Sequence, residues 1–191
     1  PLKKGATKLV FGTGNTEAKI LCIGEGPGFN EDRIGEPFVG QAGKLLDKLF
    51  PLAGLQRKDV FITNIVHHRP PENRDPEPGE IEAYGKYLDQ IIEIINPDVI
   101  LTLGRFSMAK FLPNAFISQV HGKKYMVNWK GRDIMIIPMY HPAASLRNGN
   151  ILELEKNDFF QLKEILSKMK EDPPSHKATE GQDKAEQIEL V

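Results

Sequence analysis

Three short stretches of the 191-residue sequence carry groups able to act together on a small molecule. The first is "GEGPG", Gly24 to Gly28, which leaves an apolar run. Three glycines in five residues bare the backbone, either for the close approach of a ligand or for a plain tight turn. A dinucleotide fingerprint fails here. Its third glycine would fall on Phe29, and Pro27 lacks the amide a phosphate needs. A P-loop fails as well, because no Gly-Lys-Ser/Thr follows. The second stretch ends in Asn64, whose carboxamide can offer one donor and one acceptor to a flat, amide-like edge. Taken singly, an asparagine there equally suits a turn. The third is "YHPAASLRNG", where Pro142 holds His141 in extended backbone. His67 and His68 do not read as metal ligands. Neighbours on a strand face opposite ways, and no Cys-x-x-Cys or His-x-x-x-His stands nearby.

The elements that would position these residues follow from hydrophobic periodicity. Four segments read as strands: 18–24, 59–66, 98–104 and 133–140. Near-continuous runs of Val and Ile mark strands covered on both faces. Between and after them, 41–54, 80–95 and 151–169 repeat apolar residues at helical spacing. Strand and helix alternate, which predicts a three-layer α/β/α sandwich with a four-stranded, mainly parallel sheet. Each candidate residue then falls just beyond a strand, where open parallel sheets bind ligands. The segment 122–132 should form a hairpin or a loop before the last strand. It interleaves Lys123, Lys124, Lys130 and Arg132 with Tyr125 and Trp129, a pattern open to a nucleic-acid surface or to an ordinary solvated hairpin.

Composition sets outer bounds. Hydrophobic residues make up 40% and charged residues 27%, as in an ordinary globular protein. No apolar run approaches the ~18 residues of a membrane span, and no signal-peptide pattern opens the sequence. Pro1 is not a methionine, which leaves room for residues upstream. Cys22 is the sole cysteine, so no internal disulfide can form, and a cytoplasmic, monomeric protein is expected. The net charge of −1 hides a split. From Glu171 onward six acids face two lysines, leaving residues 1–170 mildly positive, which permits a polyanionic partner. Residues 1–170 are expected to form one domain, with 171–191 a disordered acidic tail.

The stretches "GEGPGFNEDRIGEPFVGQAGKLLDKLF", "ITNIVHHRPPENRDPEP", "PDVILTLG" and "PMYHPAASLRN" together resemble the uracil-DNA glycosylase superfamily, most closely its family 4. The resemblance runs from about Leu9 to about Met169. It implies a DNA repair enzyme that flips uracil out of DNA and hydrolyses it away, leaving an abasic site. The backbone from Gly24 through Gly26 to Gly28 would approach the flipped nucleotide, and Phe38 would stack on its base. Asn64 would read the Watson–Crick edge, and Glu31 would crowd the 5-position and disfavour thymine. His141 would donate to uracil O2. Pro142, Ala143, Ser145, Leu146 and Arg147 would contact DNA, with Leu146 or Arg147 as the plug in the opened duplex.

Three departures qualify the resemblance. Better-known superfamily members carry an Asp where Gly26 stands, so the attacking water falls to Asn73 or Glu25. Family 4 also holds a four-cysteine iron–sulfur cluster. Two of its cysteines lie in a Cys-x-x-Cys before a Pro-Leu like Pro1-Leu2, upstream of this sequence, and His68 and Tyr84 occupy the other two positions. Tyrosine is a poor cluster ligand beside thiolate, so no cofactor and no metal are expected. The basic insertion of the superfamily's cross-linking branch is absent, which predicts no covalent DNA adduct. Finally, the terminal "QIELV", Gln187 to Val191, resembles a short sliding-clamp-binding peptide. Rival readings are a weak or inactive DNA-binding relative, a glycosylase for another deaminated base such as hypoxanthine, and a nucleotide-binding regulatory module.

Overall fold

A computed structural model describes residues 2–171. Glu171, expected to open the tail, belongs to the last helix. The rest of the expected tail, with the clamp-like peptide 187–191, lies outside the described residues.

The elements run β1 (Thr13–Gly14), β2 (Ile20–Gly24), α1 (Phe29–Ile34), α2 (Gln41–Leu49), β3 (Phe61–Asn64), α3 (Pro78–Ile95), β4 (Val99–Leu103), α4 (Arg105–Ala109), α5 (Ile117–Val120), β5 (Tyr125–Trp129), β6 (Arg132–Met139), α6 (Pro142–Ser145) and α7 (Gly149–Glu171), with short 3₁₀ turns between. One sheet holds six strands in the order β1-β3-β2-β4-β6-β5. The expectation of four strands was two short. β3, β2, β4 and β6 pair in parallel, while β1 and β5 close the two edges antiparallel. The missed edges have a physical cause. β1 is two residues long, and β5 alternates half-buried and exposed side chains, so neither shows the continuous apolar run of a central strand.

Side chains alternate across the sheet and build two cores. On one face Ile20, Cys22, Leu101 and Ile137 meet Leu46 and Leu49 of α2 and Phe159 and Leu162 of α7. On the other, Leu21, Ile23, Ile100 and Ile136 meet Tyr84, Leu88, Ile91, Ile92 and Ile95 of α3. Burying one such Leu or Ile contributes about 1.5–3 kcal/mol, so the α3 stripe alone is a major hold on that layer. α3 is punctuated at both ends. Pro78 opens it inside a Glu77/Glu80 capping box, and Asn96 closes it in left-handed geometry before Pro97. No described helix is long and apolar enough to cross a membrane.

The sheet order fixes where a site can lie. From β2 the chain crosses to β3 on one side and then returns past β2 to β4 on the other. That reversal opens a crevice at the carboxyl ends of the parallel strands.

Candidate active site

A cavity of about 720 Å³ opens at these strand ends. Its wall takes Glu25 to Gly28 from beyond β2, Asn64 from the end of β3, Gly104 and Arg105 from beyond β4, and Tyr140 and His141 from beyond β6. Phe38 and Glu31 complete it from the α1–α2 region, with Asn73, Ala143 and Arg147 at its margins. Gly24 lies beneath the wall. A Cβ there would run into Asn64 Oδ1 and the Phe38 ring, so the two side chains meet over a residue that can only be glycine.

Phe38 is held in unusual backbone, with φ of 54°. A left-handed aromatic is costly and persists only where its surroundings enforce it. Glu31 Oε1 accepts the N–H groups of Val39 and Gly40 at 2.9 and 2.7 Å. Arg57 donates from Nη2 to Pro37 O at 2.6 Å and from Nη1 to Phe38 O at 3.1 Å. Gly43 lets the Phe38 carbonyl press against α2, where a Cβ would overlap it. The ring then lies 5.6 Å from that of His141, with the planes inclined by 29°. Glu31 was expected to face the base. It does line the cavity, yet one of its oxygens is committed to the loop that carries Phe38.

His141 caps α6. Its Nδ1 accepts the N–H of Ala143 at 3.1 Å. A nitrogen that accepts cannot carry the proton, so Nε2–H is left as the donor of the neutral ring. Burial, aided by the charge of Arg147, pushes the pKa down to about 4, and the imidazole is neutral at pH 7. Asn64 is 2% exposed, and among the described residues no hydrogen bond takes up its carboxamide.

Glu25 and Asn73 differ in what they can offer. Glu25 is buried, which raises its pKa, and its Oε1 accepts the Phe106 N–H at 3.4 Å. Gly104, with φ of 103°, makes room for that carboxylate, since a Cβ would strike it. Asn73 also has positive φ, 56°, and its Oδ1 accepts from Arg69 Nε at 2.8 Å. Arginine has no acceptor, so the oxygen must face it, and Asn73 turns its NH₂ elsewhere. Both keep acceptor capacity for a water, but Asn73 shares its Oδ1 with Arg69, whereas Glu25 Oε2 takes part in no hydrogen bond among the described residues.

The segment after His141 divides. Ala143 and Arg147 line the cavity, and Leu146 is exposed, at 51%. Pro142 and Ser145 are buried, against the expectation that they touch DNA. The Ser145 hydroxyl donates to Glu155 Oε2 of α7 instead. Burial pushes the Glu155 carboxyl up to about 7, and its Oε1 has no partner among the described residues. The hairpin β5–β6 does not join the site. Lys130 pairs there with Asp89 and Glu93 and lies over Trp129, as on an ordinary surface.

The residues at the two cluster positions do not fit an iron–sulfur group. His68 Nδ1 and Tyr84 Oη are hydrogen-bonded to each other at 2.7 Å, and the His67 ring packs edge-on against Tyr84 at 5.5 Å. Cys22 lies inside the sheet, its thiol pushed up to about 12 by burial. Among the described residues no group of three or more His, Cys, Asp or Glu could hold a metal.

Sequence reasoning missed Arg57, Arg69, Glu155 and Tyr140. Only Tyr140 had a local signal, its place directly before His141. Arg57 acts across 19 and 20 residues, and Arg69 and Glu155, though four and ten residues from their partners, meet them through side-chain geometry that no spacing pattern marks.

The chain is a layered α/β protein that gathers an aromatic ring, a carboxamide with no hydrogen bond among the described residues and a neutral imidazole at its sheet's switch point. The comparisons agree with that class. The profile of the "Uracil DNA glycosylase superfamily" matches residues 11–166. Proteins named "Type-4 uracil-DNA glycosylase" are similar over most of their length. The one from Archaeoglobus fulgidus is 46% identical, covering 87% of this chain and 86% of that protein. Those from Sulfurisphaera tokodaii and Saccharolobus solfataricus are 47% and 49% identical, each covering 83% of this chain and 75% and 76% of theirs. The chain belongs to the uracil-DNA glycosylase superfamily.

Proposed function

We propose that the chain is a uracil-DNA glycosylase that hydrolyses the N-glycosidic bond of a flipped deoxyuridine and leaves an abasic site in DNA. The observation that carries the reading is the convergence of the Phe38 ring, the unpaired Asn64 carboxamide and the Nε2–H of neutral His141 in one cavity. The base stacks on Phe38. Asn64 Oδ1 accepts from uracil N3–H, and its NH₂ donates to O4. Cytosine presents the reverse at both atoms and would leave buried groups unpaired, at about 1–3 kcal/mol each. Glu31 narrows the site at the 5-position and disfavours thymine.

As the C1′–N1 bond breaks, its electron pair passes to the base and positive charge grows on the sugar. His141 Nε2–H donates to O2, where the negative charge collects. A neutral donor already in place suits this step, and one such donor typically lowers the barrier by ~3 kcal/mol, about 100-fold in rate. A water held by the Glu25 carboxylate adds to C1′ and gives its proton to that carboxylate, while uracil leaves as the anion and is protonated by solvent. Asn73 supplies a donor at the margin. Arg147 and Leu146 face the duplex. Extrusion costs a few kcal/mol, least where uracil is mispaired.

The experiment is incubation with oligonucleotides bearing U, hypoxanthine, T·G or no lesion, followed by alkaline cleavage. Strand breaks at U alone are expected. Retained binding with no breaks anywhere would overturn the reading in favour of an inactive relative, and breaks at hypoxanthine alone would shift the substrate. Asn64→Asp should gain release of cytosine, and unchanged selectivity would remove Asn64 from base reading. The chain is further proposed to act as an intracellular monomer whose Gln187–Val191 peptide docks on a sliding clamp. A 20-residue C-terminal peptide that shows no binding to purified clamp would end that part.

A further inference from the structure

One pair of groups at the cavity rim is left unused by the excision chemistry. Phe29 opens α1 directly after Gly28, and its ring is 58% exposed. The Arg69 guanidinium lies over that ring, 5.3 Å from its centre. Arg69 Nε is tied to Asn73 Oδ1 at 2.8 Å. Gly28, Pro70 and Asn73, the immediate neighbours of this pair, all line the cavity.

A lone exposed apolar side chain needs no explanation. The arrangement of Arg69 does. Among the described residues its Nη atoms meet no carboxylate or carbonyl. Asp32, whose carboxyl feels its charge, is buried and accepts the N–H groups of Thr7 and Lys8 at 2.8 and 3.2 Å. The rim thus shows a flat ring with one open side and a fixed fork of donors with nothing to bind. An aromatic platform beside an arginine fits a stacked base and its phosphate. The occupant follows from position, since any strand that feeds a nucleotide into the cavity must pass the rim within one nucleotide of it.

We infer that Phe29 and Arg69 form a subsite for the nucleotide next to the extruded one, the ring stacking on its base and the guanidinium holding its phosphate. This rests on the glycosylase reading above.

The test compares wild type, Phe29→Ala and Phe29→Trp on single-stranded uracil oligonucleotides. Each neighbour of the uracil is replaced in turn by a base-less tetrahydrofuran residue. KM is read from excision and Kd from fluorescence anisotropy of the same strands. Phe29→Ala should raise both constants about tenfold with kcat unchanged, and Phe29→Trp should restore them. On one of the two base-less strands wild type should weaken by the same factor, and the difference between wild type and Phe29→Ala should vanish. Equal constants for wild type and Phe29→Ala would overturn the subsite, as would a difference that persists on both base-less strands. If wild type releases no uracil but the Kd pattern holds, the glycosylase reading falls and the subsite stands.

Discussion

The two walls of the cavity are fixed by different means. The wall of Gly24, Phe38 and Asn64 is held by backbone. It needs a glycine with no room for a Cβ and a left-handed Phe38 whose loop is gripped by Glu31 and Arg57 through main-chain groups. The wall of His141 to Arg147 is held by side chains that can gain or lose protons. His141 caps its own helix, and Ser145 leans on the buried carboxyl of Glu155. On the proposed reading the first wall measures the shape of a base, and such a wall must not yield. The second wall, proposed to supply a hydrogen bond, must have its proton in the right place, which is a matter of local electrostatics.

The contrast can be broken from either side. The largest expected effect is at the second wall. His141→Ala should lower kcat by about 100- to 1000-fold with little change in melting temperature. Because the imidazole is neutral down to about pH 4, wild-type activity should not show a rise that tracks an ordinary histidine between pH 6 and 7. Such a rise, abolished in His141→Ala, would reverse the assignment of the neutral ring.

Gly24→Ala comes next. The added methyl drives Asn64 and Phe38 apart, and a displacement of that size costs about 100-fold in kcat/KM. A near wild-type rate would show that the first wall yields after all. Arg57→Ala should cost less, about tenfold in kcat/KM, since Glu31 still grips the same loop. If the two grips are redundant, the double variant Arg57→Ala/Glu31→Ala should lose far more than the product of the single losses.

The smallest effect separates the walls by pH. The Glu155 carboxyl has its pKa raised on folding, so the folded chain holds a proton that the unfolded chain loses first. Its stabilising contribution is complete below pH 4.5 and is lost as pH rises through about 7. Glu155→Gln cannot ionise, so it should gain stability relative to wild type between pH 5 and pH 8 in urea midpoints. A constant difference across that range would mean that Glu155 titrates normally.

Much of this was legible in the sequence because it is local. The four central strands announce themselves as apolar runs, and Asn64 and His141 are marked by their places at the ends of two of them. The glycine turn was legible as a demand for space, though not what filled it. The rest was hidden for identifiable reasons. β1 and β5 lack a buried face on both sides, so they leave no hydrophobic run. The grip of Arg57 on Phe38 spans 19 residues and uses carbonyls, which every residue has. Ser145 stands in a stretch that resembles a DNA-contacting loop, and only its packing against α7 reveals that it faces inward. The tautomer of His141 depends on one backbone N–H two residues on, a contact that exists only once α6 has formed.

Cys22, sealed in the sheet with its thiol pushed up to about 12, has a practical corollary. As it stands, the sequence offers a maleimide nothing to react with. A single cysteine introduced at Leu146 would therefore be the one position to take a dye, and its emission would report whether that tip meets a duplex as proposed.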